Sequence, residues 1–107
     1  MLYSLIIFLS VNFNTGEQAF DHDFENKRVH IKFSKVERDS KRVIVGSIED
    51  KKSGKGFPGM HIYFKKKDYG IISDAKGNFE IKVPTNKTRL VFSFLRRNKV
   101  IINLDDY

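Results

Sequence analysis

Apolar and polar positions alternate with a period of two along several short segments of the chain. One such segment places Met60, Ile62 and Phe64 on one side of the backbone, with more polar residues between them. A period of two is typical of a β-strand with one buried face. No stretch shows the period of about 3.6 residues that an amphipathic helix requires, so the sequence predicts an all-β chain. Other alternating sets are Val29, Ile31 and Phe33, then Phe79, Ile81 and Val83, then Leu90, Phe92 and Phe94.

Turn-forming residues separate these segments at intervals of roughly ten residues. The loop from Glu49 to Met60 is rich in glycine and contains Pro58, which indicates special backbone angles. Dense apolar runs predict further strands at 43–48, 69–73 and 100–104. About six or seven short strands with regular turns favour a β-sandwich or a barrel. The predicted turns cover residues 37–42, 66–68, 74–78, 84–88 and 96–99.

The chain begins with an apolar segment, MLYSLIIFLSV at residues 1–11. It has the length of a signal-peptide core and is shorter than the roughly twenty residues that span a bilayer. The alternative is a first buried strand formed by Leu5 to Leu9, which periodicity alone does not exclude. We favour export because the composition changes abruptly at Asn12, where a polar and acidic segment, interpreted as a linker, begins. A chain that keeps this segment as a strand would be cytoplasmic.

These patterns divide the chain into three parts. Residues 1–22 are predicted to be a signal-like leader and the start of a linker, and residues 23–41 a linker or an edge strand. Residues 42–107 are predicted to form the β-sandwich. One hydrophobic core is all that 107 residues can supply, so any function belongs to a single small module.

Charge is distributed unevenly between these parts. Acidic and basic residues balance in residues 1–41, so the whole excess of +7 lies in residues 42–107. Two basic clusters could form a surface for nucleic acid or acidic glycans, with Tyr63 and Tyr69 beside the first. We favour the interpretation that exposed lysines keep the strands soluble, because strong nucleic-acid binders usually add a recognisable motif. The clusters are Lys65, Lys66 and Lys67, and Arg96, Arg97 and Lys99.

Candidate catalytic chemistry is sparse. The chain has no cysteine, which excludes disulfides, thiol catalysis and a Cys-based zinc site. His22 and Glu25 have the His-x-x-Glu spacing of a zinc site, but they lie in the predicted linker, without a rigid scaffold to hold ligands. A metallohydrolase fragment is therefore the least favoured hypothesis. No nucleophile elbow, phosphate-binding loop or dinucleotide fingerprint is present, so we expect no enzyme activity and no cofactor.

Four segments in order carry a family resemblance: VIVGSIED at 43–50, GFPGM at 56–60, GIISDAKGNF at 70–79 and LVFSF at 90–94. Together they resemble the carboxypeptidase regulatory-like domain. The third segment is the most specific, and its parts also have physical roles as a hairpin: Asp74 caps the turn, Gly77 allows a left-handed angle and Phe79 enters the core. The residues that match the family pattern are Gly46, Asp50, Pro58, Gly59, Gly70, Asp74, Gly77 and Phe79.

The resemblance implies a seven-stranded Greek-key β-sandwich like that of transthyretin. It also implies a non-catalytic accessory module, as in domains beside zinc carboxypeptidases and at the amino terminus of TonB-dependent receptors of Bacteroidetes-type bacteria. Export to the periplasm or the outer membrane agrees with the leader. The implied partner is another envelope protein or domain and not a nucleic acid. The chain itself is expected to have no transmembrane span, and its oligomeric state is left undetermined by the resemblance. The alternative is a small basic β domain that binds nucleic acid or glycans.

Overall fold

The computed structural model describes residues 16–64, 70–84, 89–96 and 98–106. Strands and turns make up this part of the chain, with one short 3-10 turn at Leu104–Asp106 and no α-helix among the described residues. The helix that a membrane span would need is likewise absent from these ranges. The eight strands are β1 Glu17–Phe24, β2 Lys27–Arg38, β3 Lys41–Asp50, β4 His61–Phe64, β5 Gly70–Ile72, β6 Asn78–Lys82, β7 Arg89–Phe94 and β8 Asn98–Asn103.

The strands form two antiparallel sheets of four. The first sheet has the order β1-β2-β3-β6, and the second has the order β5-β4-β7-β8. The chain crosses from one sheet to the other after β3, after β5 and again after β6, so neither sheet is continuous in sequence. This arrangement confirms the prediction of an all-β sandwich, with eight strands where about seven were expected.

The additional strand is β1, which corrects the prediction of a linker. Its residues pair with β2 from Glu17, opposite Ser34, to Phe24, opposite Lys27. The two-residue turn between the strands, Glu25 and Asn26, has positive φ at both positions, as a type I′ hairpin turn requires. Acidic residues on the outer face of β1 concealed the inward alternation that ends at the buried Phe24.

The strand β2 also differs from its prediction as a linker or an edge strand. It lies inside the first sheet and pairs with β1 on one side and with β3 on the other. Its inward residues Val29, Ile31 and Phe33 are buried in the core. The hydrophobic core therefore begins well before residue 42, because the amino-terminal hairpin supplies half of the first sheet.

Phenylalanine rings fill the space between the sheets. Phe92 of the second sheet meets Phe20 and Phe79 of the first edge to face, at centroid distances of 6.0 Å and 5.7 Å. Such pairs are worth about 0.5–1.5 kcal/mol beyond the area that they bury. The largest fully buried side chains are Phe24, Phe33, Phe64, Phe92, Ile31, Ile44, Ile48, Met60, Ile62, Ile81, Leu90 and Val29.

Element ends shift by a few residues from the predictions. The turn after β7 lies at Leu95 and Arg96, both with positive φ, and Asn98 and Lys99 belong to β8. The predicted leader at residues 1–11 and the predicted turn at 66–68 lie outside the described residues, as does most of the turn predicted at 84–88.

Candidate interaction surfaces

The turn between β5 and β6 is organised by Asp74. The two strands lie in different sheets, so the predicted hairpin is wrong and this turn instead connects one sheet to the other. Its Oδ1 accepts hydrogen bonds from the backbone N–H groups of Lys76 and Asn78, both at 2.9 Å. Gly77 has φ +83°, and an added Cβ would lie 2.1 Å from the carbonyl oxygen of Ile48. Phe79 then enters the core. These contacts agree with the roles expected from the sequence and give this motif a structural purpose.

The loop after β3 depends on the other motif residues. Asp50 Oδ1 accepts the N–H groups of Lys52 at 2.8 Å and Ser53 at 3.3 Å. Gly59 has φ +83°, and its N–H donates to the carbonyl oxygen of Ser73. The neighbouring Pro58 is exposed. The loop is therefore held by local backbone bonds on the surface.

Gly46 and Gly70, two further residues of the family pattern, lack the side chain that would collide with neighbouring aromatic residues. Gly46 faces Phe79 across the β3–β6 pairing, and a Cβ there would lie 2.7 Å from the end of that ring. Gly70 faces Tyr63 across the β4–β5 pairing. A Cβ added at Gly70 would lie 2.9 Å from the Cβ of Tyr63 and 2.9 Å from Nε2 of the His61 ring. The rings of His61 and Tyr63 contact each other at 4.7 Å.

Ser73 was not identified by the sequence analysis. Its side chain is buried, donates to the carbonyl oxygen of Phe57 at 2.8 Å and accepts the N–H of Met60 at 2.9 Å. Backbone bonds join Ser73 to Met60 and Gly59 as well. This serine therefore ties the loop after β3 to the start of the turn between β5 and β6. A serine before an aspartate in a turn carries no pattern that would reveal such a distant partner.

His22 and Glu25, the pair with the His-x-x-Glu spacing, lie at the end of the first hairpin. His22 lies in β1 with its ring against Phe24 at 4.6 Å, and Glu25 occupies the turn after β1. Across the described ranges, no three His, Cys, Asp or Glu side chains are grouped so that they could hold a metal ion.

A cluster of charged and polar groups lies on the outer face of the first sheet. Asp21 Oδ1 is 2.6 Å from His30 Nδ1, and Asp21 Oδ2 is 3.4 Å from Lys51 Nζ. The hydrogen bond from His30, together with Lys51, holds the pKa of Asp21 below its ordinary value of 3.8, although partial burial opposes this. The cluster holds β1 against β2, and Lys51 offsets the negative charge of the Asp21 carboxylate.

Only part of the predicted basic surface lies in the described residues. Lys99 is exposed in β8 and Arg96 is exposed in the turn before it, so both belong to the second sheet. Lys65, Lys66, Lys67 and Arg97 lie outside the described residues, as does Tyr69.

The edge strands of the first sheet differ in how many backbone groups they leave unpaired. In a type I′ hairpin the residues that flank the turn form a hydrogen-bonded pair, so Phe24 and every second residue before it bond to β2. The N–H and C=O groups of Glu17, Ala19, Asp21 and Asp23 therefore point away from the sheet. At the opposite edge, only Glu80 and Lys82 of β6 direct unpaired backbone groups away from the sheet, because Asp74 bonds both backbone groups of Asn78.

A groove of about 420 Å³ lies between the edges of β5 and β6. Its carboxylates have other partners: Asp74 caps the turn between these strands, and Glu80 bonds Arg38 at 2.8 Å. The remaining lining is Ile71, Ile72, Asn78 and Phe79. The groove therefore offers a partly apolar wall rather than a set of converging catalytic groups.

Comparison with known families gives a match over more than half of the chain. The model of a family described as the CarboxypepD_reg-like domain matches residues 44–104. The matched range begins in β3 and continues through β8, whereas β1 and β2 precede it. No curated protein and no solved structure gives a significant match.

Proposed function

Because the chain belongs to the family of CarboxypepD_reg-like domains, we propose that it is a non-catalytic accessory module of the bacterial cell envelope. It is exported and acts by binding another envelope protein or domain. Its β-sandwich provides a rigid frame, and its role is recognition rather than chemistry. The family match and the sandwich fold support this proposal.

No strand of the described residues pairs with the outer edge of β1, and this free edge carries the proposal most directly. It extends over eight residues without proline, lysine or glycine, and four of those residues direct both backbone groups outward. Exposed edges of this kind are normally shielded by lysine, proline, a bulge or a covering element. An extended segment of a partner can add to such an edge by main-chain hydrogen bonds, which is the recognition mode called β-augmentation.

The two side faces of β1 define what the partner strand must carry. On the outer face, Glu17 and Asp23 are acidic, and Asp23 already pairs with Arg28 at 2.9 Å. On the core side, Phe20 is only partly buried and stays accessible from the edge. A partner strand with small or basic residues on its outer face and apolar residues toward Phe20 would complement both sides.

Site-specific crosslinking in the producing cells tests this function. A photoreactive amino acid at position 17 lies beside the free edge, and the same probe at Ser53 in the exposed loop after β3 is the matched control. We expect a discrete protein adduct at position 17 and none of that mass at position 53. Ala19→Pro should abolish the adduct, because proline removes an outward N–H and blocks an incoming strand.

The outcome is decisive in either direction. An adduct at position 17 that survives Ala19→Pro, or the same adduct at both probe positions, would contradict docking at this edge. The complete absence of an adduct from position 17 would contradict it as well. Circular dichroism of purified Ala19→Pro protein must show the β-sheet spectrum of the parent, so that loss of the adduct reports on the edge.

A further inference from the structure

The second sheet contains no acidic residue. None of its strands β4, β5, β7 and β8 includes Asp or Glu, while Arg89 and Lys99 lie in its strands and Arg96 in its turn. The first sheet differs, because acidic side chains in all four of its strands offset its many lysines and arginines. The cations of the second sheet therefore have no acidic residue in its strands to offset them.

The exposed hydrophobic side chains lie on this same side. Three large apolar residues of the described ranges are prominently exposed: Ile72 in β5, Leu95 in the turn after β7 and Ile101 in β8, with 65%, 61% and 45% of their surface accessible. Ile72 is the β5 partner of His61, and Ile101 is the β8 partner of Val91. Hydrophobic and cationic groups thus share one face.

The register places these residues in two adjacent rows across the sheet. One row runs Ile72, His61, Ser93 and Lys99, and the next runs Gly70, Tyr63, Val91 and Ile101. Val91 and Ser93 are buried although they point outward. With strands about 4.8 Å apart, the rows form a broad and shallow surface roughly 15 Å wide. The turn with Leu95 and Arg96 lies at its edge, beside Lys99.

We propose that this face, defined by Ile72, Leu95, Arg96, Lys99 and Ile101, binds the surface of a bilayer that contains anionic lipids. Exposed aliphatic side chains enter the interfacial region, and the neighbouring cations meet phosphate groups. A shallow face whose strands carry no carboxylate suits a flat anionic surface, because any acidic residue in it would be repelled. Asp74 and Glu80 lie beside Ile72 in the groove at the edge of this face. Asp105 and Asp106 follow β8 at the end opposite Arg96 and lie away from this contact.

This binding does not depend on the free edge of β1, which belongs to the other sheet. A module that holds a partner strand at one edge and rests on a membrane through its second sheet would bring that partner to the bilayer. Each property can fail without the other, since they use different residues.

Sedimentation with vesicles tests the proposal. The purified chain is incubated with vesicles of phosphatidylcholine alone and with vesicles in which about two fifths of the lipid is phosphatidylglycerol. We expect binding to the anionic vesicles, weaker binding to the neutral ones and a fall in binding as salt is raised. Equal binding to both vesicle types, or binding to neither, would overturn the proposal.

Paired variants locate the contact. Arg96→Gln with Lys99→Gln should weaken binding to the anionic vesicles about tenfold or more, since each basic residue near such a surface contributes substantially. The matched control is Lys41→Gln with Lys82→Gln, which removes the same charge from exposed positions of the first sheet. Residues 1–11 are identical in all variants, so any contribution from that apolar segment cancels. Equal losses in both pairs would contradict a specific face.

Hydrophobic variants separate insertion from simple charge attraction. Leu95→Asn suits the positive φ of that position, and Ile101→Thr keeps a β-branched residue in the strand, so both should preserve the fold. We expect the double variant to bind anionic vesicles several-fold more weakly. An unchanged affinity would contradict insertion of these residues. Binding of a fluorescent oligothymidine more tightly than of vesicles, through the same cations, would overturn the bilayer in favour of nucleic acid.

Discussion

Single residues join parts of this domain that are distant in sequence. Ser73 donates a hydrogen bond to the carbonyl oxygen of Phe57 and accepts one from the N–H of Met60. Gly77 packs closely against the carbonyl oxygen of Ile48. Asp74 acts locally, within its own turn. The motif between β5 and β6 therefore combines a self-contained turn with contacts to the loop after β3, and its most distant contacts are made by its smallest residues, Ser73 and Gly77.

Ser73→Ala should lower the free energy of unfolding by about 1–3 kcal/mol, because it leaves the N–H of Met60 in the core without its acceptor. Urea denaturation followed by circular dichroism measures this change. Ser53→Ala is the matched control, since Ser53 is exposed and its hydroxyl accepts only the N–H of Lys55. A Ser73→Ala variant as stable as the parent would show that water or rearrangement replaces the lost bond.

Asp21 makes a small pH-dependent contribution to stability. Its pKa is lowered in the folded state, first by the hydrogen bond from His30, so its stabilising effect is present above the ordinary carboxyl value and is lost as the pH falls through the lower folded value. His30→Ala should raise the pKa of Asp21 toward 3.8. A titration of the Asp21 carboxyl carbon by NMR measures this shift. Arg28→Ala, which removes the partner of Asp23, should leave the Asp21 titration unchanged.

At the scale of elements, the amino-terminal hairpin changes the character of the domain. Strands β1 and β2 enlarge the first sheet beyond the matched family range and place Val29, Ile31 and Phe33 in the core. They also move the edge of the sheet from β3 to β1. The free edge thus belongs to a part of the chain that the family match does not cover, and any partner that it binds is a property of this hairpin.

Two proline variants of adjacent residues test the pairing of β1. Ala19→Pro removes an N–H that points outward and should cost about 1 kcal/mol or less, whereas Phe20→Pro removes a bond to β2 and should cost about 3 kcal/mol or more. Thermal unfolding of the two variants gives the comparison. Because Phe20 also packs on Phe92, Phe20→Ala is measured beside it, so that the cost of the lost ring can be subtracted. Equal costs for the two prolines, after this correction, would contradict the register of β1.

At the scale of the whole molecule, the two sheets divide the surface by charge. The first sheet has cross-strand ion pairs such as Arg28–Asp23 and Arg38–Glu80, while the second has cations without acidic neighbours in its strands. The charges of the described strands are therefore balanced in the first sheet and unbalanced in the second. One free edge and one basic, partly apolar face give the described part of the domain two distinct surfaces, one for each proposed contact.

Export is the prediction that concerns the entire chain. Expression of the chain with its apolar leader in a Gram-negative host, followed by fractionation and intact-mass measurement, should give a protein in the periplasm or the envelope that is processed between residue 12 and the start of β1 at Glu17. A chain in which Leu5 and Ile6 are replaced by Asp should remain unprocessed in the cytoplasm, because charge disrupts the apolar core of a signal peptide. An unprocessed cytoplasmic parent would contradict export.

The sequence by itself determined the fold class and the family, because both depend on local signals. Alternation along β4, β6 and β7 shows which residues face the core, and the pattern from Gly70 to Phe79 specifies a turn through the angles that glycine and aspartate allow. Each of these features involves only a few neighbouring residues, so the sequence shows it directly. For the same reason, Asp74, Gly77 and Phe79 were assigned roles that match their observed contacts.

Only the tertiary structure decided which strands are neighbours and which surfaces remain free. The acidic segment 17–24 has little strand propensity of its own and becomes β1 because pairing with β2 satisfies its backbone and buries Phe24. Strand order joins β3 to β6 and separates the acidic residues from the second sheet. The free edge and the basic face follow from these non-local pairings, which depend on how the two sheets close on a shared core and leave no pattern along the chain.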